Sequence, residues 1–214
     1  MPRNQQLVDH LIGSGVLHTP ELIEAFLRCD RVWFVPDHLT HEAYSDIPLP
    51  IGYGQTISQP YTVAIMLELL RPAKGNHILD IGSGSGWTTA LLASCVGENG
   101  SVEGVERIAD LVEYGQSSLR TARIANASIH LADPEVLGHP GRTYDRILVS
   151  ASAQKLPVTL YEQLKPGGRL VIPIRDSIWC MSKDENGEVS GFELPGFRFV
   201  PLIVADEDEN AFSR

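Results

Sequence analysis

No apolar run approaches the roughly 18 residues that a membrane-spanning helix needs, so no transmembrane helix and no membrane partner is expected. Cysteine is scarce: Cys29, Cys95 and Cys180 are odd in number, far apart, and lack metal-ligand spacing. That excludes a disulfide framework and predicts thiols in a reducing cytoplasm. Basic charge is short, with Lys+Arg 17 against Asp+Glu 27 and a formal net charge of −10. Such a chain repels a phosphate backbone, and no basic block interleaved with aromatics compensates, so no nucleic acid partner is expected. Repeats and low-complexity segments are absent, and the first residues hold no signal-peptide core. The acidic stretch at residues 205–210 reads as a solvated terminus.

What is present is ordinary globular material, 43% hydrophobic and 21% charged over 214 residues. Its length allows one domain or a domain with an appendage; the expectation is a monomer with a single domain: N-terminal helices and a loop over residues 1–74, then a sheet and C-terminal strands over 75–214. Residues 3–28 read as two helices, the second with Thr19 as N-cap and Pro20 at the first helical position. Residues 30–60 form a dense loop rich in Pro and Gly, and loops of that length are often functional. From residue 61 onward helical and apolar strand patterns alternate, which predicts a doubly wound, mostly parallel α/β sheet. Residues 156–164 are expected to be helical. Asn186-Gly187 marks an antiparallel hairpin at the C-terminal edge, and residues 197–202 read as a final strand.

The densest chemical signal is Ile78-Leu79-Asp80-Ile81-Gly82-Ser83-Gly84-Ser85-Gly86-Trp87. A buried strand runs into a turn of bare backbone and then into a helix N-terminus. A second strand, residues 101–106, ends in Glu106, placed to accept hydrogen bonds from a ribose diol. The glycine spacing is G-x-G-x-G, not the G-x-G-x-x-G of dinucleotide sites, and Asp80 would repel a pyrophosphate. This pattern resembles motif I of the class I S-adenosylmethionine-dependent methyltransferases.

A second stretch, Gln55-Thr56-Ile57-Ser58-Gln59-Pro60 within Ile51-Gly52-Tyr53-Gly54-Gln55, narrows the family. With residues 31–36, Ala43-Tyr44-Ser45-Asp46, residues 167–173 and Phe199-Val200-Pro201-Leu202, it resembles the protein-L-isoaspartate (D-aspartate) O-methyltransferases, in order from about residue 5 to 203. The resemblance implies a seven-stranded Rossmann-like methyltransferase fold. It implies S-adenosyl-L-methionine as cofactor, S-adenosyl-L-homocysteine as product, and no metal. The implied acceptor is the free carboxylate of an L-isoaspartyl residue in a damaged protein or peptide. The ester then closes to a succinimide, losing methanol, and reopens partly to normal aspartate.

By the same resemblance Ser58 orients the acceptor carboxylate, although it also suits a helix N-cap. Thr56, Ile57, Gln59 and Val200 shape the peptide groove. Gly82, Ser83, Gly84 and Gly86 admit the methionine part of the cofactor, with Asp80 biasing its ammonium group or only bracing the loop. Glu106 and Arg107 hold the ribose end, and Asp133 stands next to adenine. The sequence departs from the family pattern at Pro134, which removes an N–H from the adenine loop, at Trp87 in place of Tyr, and at Arg175. Arg175 either supplies a carboxylate-binding charge or pairs with Asp176. Two other readings stay open: a carboxyl methyltransferase for a specific peptide natural product or small metabolite, and a non-catalytic homologue that binds cofactor or partner.

Overall fold

The computed structural model describes residues 3–203, so the acidic stretch at 205–210 lies outside the described residues. Two helices open the chain, α1 (Arg3–Gly13) and α2 (Pro20–Arg28). Thr19 stands at the N-cap of α2 with extended backbone, but its side chain does not cap the helix. The hydroxyl donates instead to Glu68 at 2.6 Å, and the N–H groups of His18 and Thr19 donate to the same carboxylate at 2.8 Å.

The predicted long loop is largely structured. Two 3-10 turns (Arg31–Phe34 and Asp37–Glu42) lead into a small antiparallel hairpin of β1 (Leu49–Gly52) and β2 (Gln55–Ile57). Helix α3 (Pro60–Leu70) comes directly after it. The main sheet then builds from β3 (His77–Ile81), α4 (Trp87–Val96), β4 (Ser101–Glu106), α5 (Ala109–Thr121), β5 (Ala127–Leu131) and β6 (Tyr144–Val149). After a single helical turn, α6 (Thr159–Glu162), come β7 (Leu164–Ile174), β8 (Ser177–Lys183) and β9 (Val189–Pro195).

Among the described residues the sheet has seven strands in the order β5-β4-β3-β6-β7-β8-β9. The first five are parallel. Strand β8 pairs antiparallel with β7 and with β9, the second pair joined through the Asn186-Gly187 turn, as the sequence predicts. Alternate residues of the central strands serve two cores: Ile78, Leu148 and Val171 face the layer with α1–α5, while Leu79, Ile147 and Leu170 face the opposite one. Chain order reverses between β3 and β6, the switch point outside which doubly wound sheets bind ligands.

Two sequence expectations change. Residues 156–164 give only the turn Thr159–Glu162, because β7 already begins at Leu164. Residues 197–202 form no strand. Ser152 donates its N–H to the Val200 carbonyl and accepts from the Leu202 N–H, both at 2.8 Å, while Pro201 between them has no N–H with which to extend a ladder.

Asp80 lies on the α4 face of β3 and is fully buried. Its Oδ2 accepts from the hydroxyls of Thr88 (2.8 Å) and Thr89 (2.7 Å), which fixes the start of α4 to the strand. Its Oδ1 is buried without a partner. Burial disfavours the charge and pushes this carboxyl up to about 6, against the two Thr bonds. In the N-terminal third Arg31 is also fully buried, and its guanidinium donates to the carbonyls of Ala43, Ser45, Ile47 and Ser58.

Both buried groups carry measurable consequences for stability. An unfolded Asp titrates near 3.9, so between about pH 4 and pH 6 the folded state holds a proton that the unfolded state has lost. Stability therefore falls with rising pH across that window and levels above it, by about 3 kcal/mol. D80N should remove this slope in urea-unfolding midpoints taken from pH 4 to 8, and a profile parallel to the parent's would refute the assignment. R31M, which strips four carbonyls of their cationic donor, should lose at least ~3 kcal/mol in the same assay at pH 7. A loss below ~1 kcal/mol would show that those carbonyls find other partners.

Candidate active site

A cavity of about 470 Å³ opens at the carboxyl ends of β3, β4 and β6. One wall is the turn after β3. Gly82 and Gly84 have φ of +78° and +53°, a region open to glycine, and a Cβ on Gly84 would stand 3.1 Å from Ile51 Cδ1. The turn is held by the N–H groups of Gly82 and Ser83, which both donate to the Val105 carbonyl (2.8 and 3.2 Å). Helix α5 approaches so closely at Gly115 that a Cβ there would lie 2.9 Å from the Gly84 carbonyl.

Glu106 forms the floor beside this turn. Its Oε2 accepts from the Gly84 N–H and its Oε1 from the Ile108 N–H, both at 3.0 Å. Each oxygen keeps a further lone pair, so a diol can be received without breaking either bond. Ser83 Oγ is buried with no hydrogen-bond partner, an orphan at the cavity wall. Arg107, Asp133 and Pro134 line the far end. Asp133 accepts from the Glu135 N–H at 2.9 Å, a local turn that Pro134 permits. The buried Gln163 side chain clamps the next stretch, accepting from the His139 N–H and donating to the Leu137 carbonyl.

The opposite wall is the β1–β2 hairpin and its exit. Thr56, Ile57 and Ser58 line the cavity, and Val200 is delivered to it by the Ser152 bonds. Ser58 Oγ makes no hydrogen bond among the described residues. The N-cap position of α3 belongs to Gln59, so Ser58 is not a helix cap. Tyr53, at the left-handed hairpin tip (φ 54°), donates its hydroxyl to Asp110 in the first turn of α5, which ties this wall to the other.

Four residues named from the sequence stand away from the cavity. Asp80 lies beneath the turn, bonded to Thr88 and Thr89. Gly86 (φ +89°) faces α5, where a Cβ would sit 3.2 Å from the Gly115 carbonyl. Gln59 turns outward, donating to Asp46 (3.2 Å) and accepting from Thr62 (3.3 Å). Arg175 is exposed and donates to the Gln154 carbonyl at 3.2 Å, without an ion pair to Asp176 among the described residues.

Sequence reasoning gave no role to Arg31 or Asp46. Nη1 of Arg31 donates to the carbonyls of Ala43 (2.9 Å) and Ser45 (3.1 Å), and Nη2 to those of Ile47 (3.0 Å) and Ser58 (3.1 Å). The guanidinium lies 5.3 Å from the centre of the Trp87 ring, and Trp87 lines the cavity. Trp87 also meets Phe26 edge-on and donates to the Cys29 carbonyl at 3.0 Å. The signal for Arg31 was its place in Asp30-Arg31-Val32-Trp33-Phe34-Val35, a lone cation entering an apolar run.

The family model described as protein-L-isoaspartate(D-aspartate) O-methyltransferase matches residues 2–207. A protein-L-isoaspartate O-methyltransferase of Methanopyrus kandleri is 42% identical over 204 residues, covering 93% of this chain and 90% of that one. One from Trichlorobacter lovleyi is 42% identical over 206 residues, covering 94% and 93%. Among solved structures, a candidate protein-L-isoaspartate O-methyltransferase from Plasmodium falciparum, in complex with S-adenosyl-L-homocysteine, superposes with a TM-score of 0.83 at 27% identity. The match covers 93% of this chain and 97% of that one. The chain belongs to the protein-L-isoaspartate(D-aspartate) O-methyltransferase family.

Proposed function

We propose that the chain is a protein-L-isoaspartate O-methyltransferase, transferring a methyl group from S-adenosyl-L-methionine to the free carboxylate of L-isoaspartyl residues in damaged proteins or peptides. One observation carries the reading: the Ser58 hairpin and the glycine turn with Glu106 face each other across the same cavity. The residues present fit the cofactor. The turn is bare at Gly82 and Gly84, Ser83 Oγ awaits a partner, and Glu106 has acceptor capacity left after its two backbone bonds. Glu106 and Arg107 would hold the ribose end, Ser83 and Gly84 the methionine end, and Asp133 the adenine side. When bound, this cofactor supplies an electrophilic methyl on a sulfonium.

The work left to the protein is alignment and exclusion of water, because a carboxylate is already a nucleophile and needs no base. Ser58 Oγ, free of bonds to the described residues, donates to the acceptor carboxylate and fixes its direction. Thr56, Ile57 and Val200 flank the peptide around it. The reading includes a monomer acting as one domain in a reducing cytoplasm, in keeping with Cys29, Cys95 and Cys180 as free, buried thiols. Burial pushes the thiols of Cys29 and Cys95 up to about 12, so neither is a nucleophile at neutral pH.

The deciding measurement is transfer of labelled methyl to matched peptides carrying isoaspartate or aspartate at one position. Transfer to the isoaspartyl peptide alone is expected, and negligible transfer to both with intact cofactor binding would defeat the reading. Within it, S58A should lower kcat by about 100-fold and leave cofactor affinity within about twofold. E106Q should instead weaken S-adenosyl-L-homocysteine binding by at least ~10-fold in calorimetry. An exchange of these two phenotypes would place both residues in the wrong roles.

A further inference from the structure

Ser58 carries no hydrogen bond through its hydroxyl among the described residues, so the direction of that hydroxyl is set by the backbone that bears it. Two side chains outside the cavity lining grip that backbone. Arg31 Nη2 holds the Ser58 carbonyl at 3.1 Å. Asp46 holds the next residues along the chain: its Oδ1 accepts from the Tyr61 N–H at 2.8 Å and its Oδ2 from Gln59 Nε2 at 3.2 Å. Helix α3 has no side-chain cap of its own at Gln59. The cap is supplied from 15 residues upstream, by a carboxylate at the positive end of the helix. The Gln59 amide is fixed at its other end by the Thr62 hydroxyl at 3.3 Å. Residues 58–61 thus have a held carbonyl, a held side chain and a held N–H in succession.

We infer that Asp46 is a positioning residue for methyl transfer: by fixing Gln59 and the first turn of α3 it aims the Ser58 hydroxyl at the acceptor carboxylate. The inference rests on the proposed role of Ser58 toward that carboxylate. Asp46 touches neither acceptor nor cofactor, since it lies outside the cavity lining. Its effect is therefore on the chemical step and not on cofactor binding. Gln59, named from the sequence as a groove residue, is the link in this chain of contacts. A bare structural role would predict something else, a loss of stability with unchanged turnover per folded molecule.

The variant D46N keeps size and the bond to the Tyr61 N–H, but it removes the charge from the cap and sets an amide N–H against the Gln59 amide N–H. The Gln59 amide can pair again only by turning over and giving up the bond it accepts from the Thr62 hydroxyl. It should lower kcat on an isoaspartyl peptide by at least ~10-fold, since small misplacements of a reacting group are costly. S-adenosyl-L-homocysteine affinity should stay within about twofold. The double variant D46N/Q59E reverses donor and acceptor across the contact, and it should recover most of the lost kcat. Should D46N not fold, Q59L tests the same link with the helix cap intact, and a kcat loss of at least ~3-fold is expected. Unchanged kcat in the folded single variant, loss carried by cofactor affinity, or no recovery in the double variant would overturn the inference. Absence of isoaspartyl transfer by the parent protein would instead overturn the functional reading beneath it.

Discussion

The buried guanidinium of Arg31 is the constraint around which the N-terminal third of the chain is arranged. An unpaired ion in a protein interior costs several kcal/mol unless its donors are met. Here both terminal nitrogens are met by main-chain carbonyls, of Ala43, Ser45, Ile47 and Ser58, and the face of Trp87 lies against the group, while the buried Nε has no hydrogen-bond partner among the described residues. Burial holds its pKa down to about 10, with Asp46 opposing the shift, so it is charged at neutral pH. Carbonyls spread over residues 43–58 can meet one planar fork only if the segment folds back on itself. The same bonds that solvate the charge therefore bring the hairpin over the sheet. Beside them, the Tyr53–Asp110 bond, the Asp46 bonds to Gln59 and Tyr61, and the burial of Leu49, Ile51 and Ile57 keep the Ser58 wall opposite the glycine turn.

The other wall depends on the absence of side chains. A Cβ at Gly104 would meet Ile129 at 2.9 Å and Ser83 at 3.2 Å, and one at Gly115 would meet Ile129 at 2.7 Å. These glycines let β4 and α5 close on the turn after β3, which then has no room to collapse into the cavity. Overpacking at such positions displaces backbone, and the backbone displaced would be the glycine turn itself. The bare wall and the charged wall are thus fixed by opposite means, one by close approach and the other by a solvated ion.

The elements that were legible in the sequence are those specified locally. The strand before Gly82, the left-handed turn, the helix after it and the Asn186-Gly187 hairpin each carry their signal within about ten residues. Long-range contacts were not legible. Thr19 has the sequence of an N-cap, yet Glu68 on another helix takes its hydroxyl. Residues 197–202 have the apolar pattern of a strand, yet among the described residues they form a single β-bridge, Pro201 to Ser152. Asp80 and Gln59 were named for the right neighbourhood. Their side chains point out of it, because Thr88, Thr89, Asp46 and Thr62 offer partners that spacing along the chain does not reveal. Arg31 went unassigned because an isolated Arg beside apolar residues looks the same whether it is solvated by water or by carbonyls.

The placement of charge bears on why this cavity suits this reaction. Two acids, Asp80 and Glu106, are buried at the ends of β3 and β4, beneath the turn. One buried cation, Arg31, lies behind the hairpin, a single hydrogen bond from the Ser58 carbonyl. In an interior where screening is weak, this arrangement favours a cationic group on the glycine-turn side and an anionic group on the hairpin side. The reactants of carboxyl methylation carry those charges, a sulfonium and a carboxylate, and both are lost as the methyl moves. A field that holds them apart by sign orients them before reaction, and it weakens the hold once neutral thioether and ester have formed. Selectivity for a free carboxylate over an amide or alcohol then comes partly from the wall charge, and in the role proposed for Ser58 its hydroxyl sets direction within it.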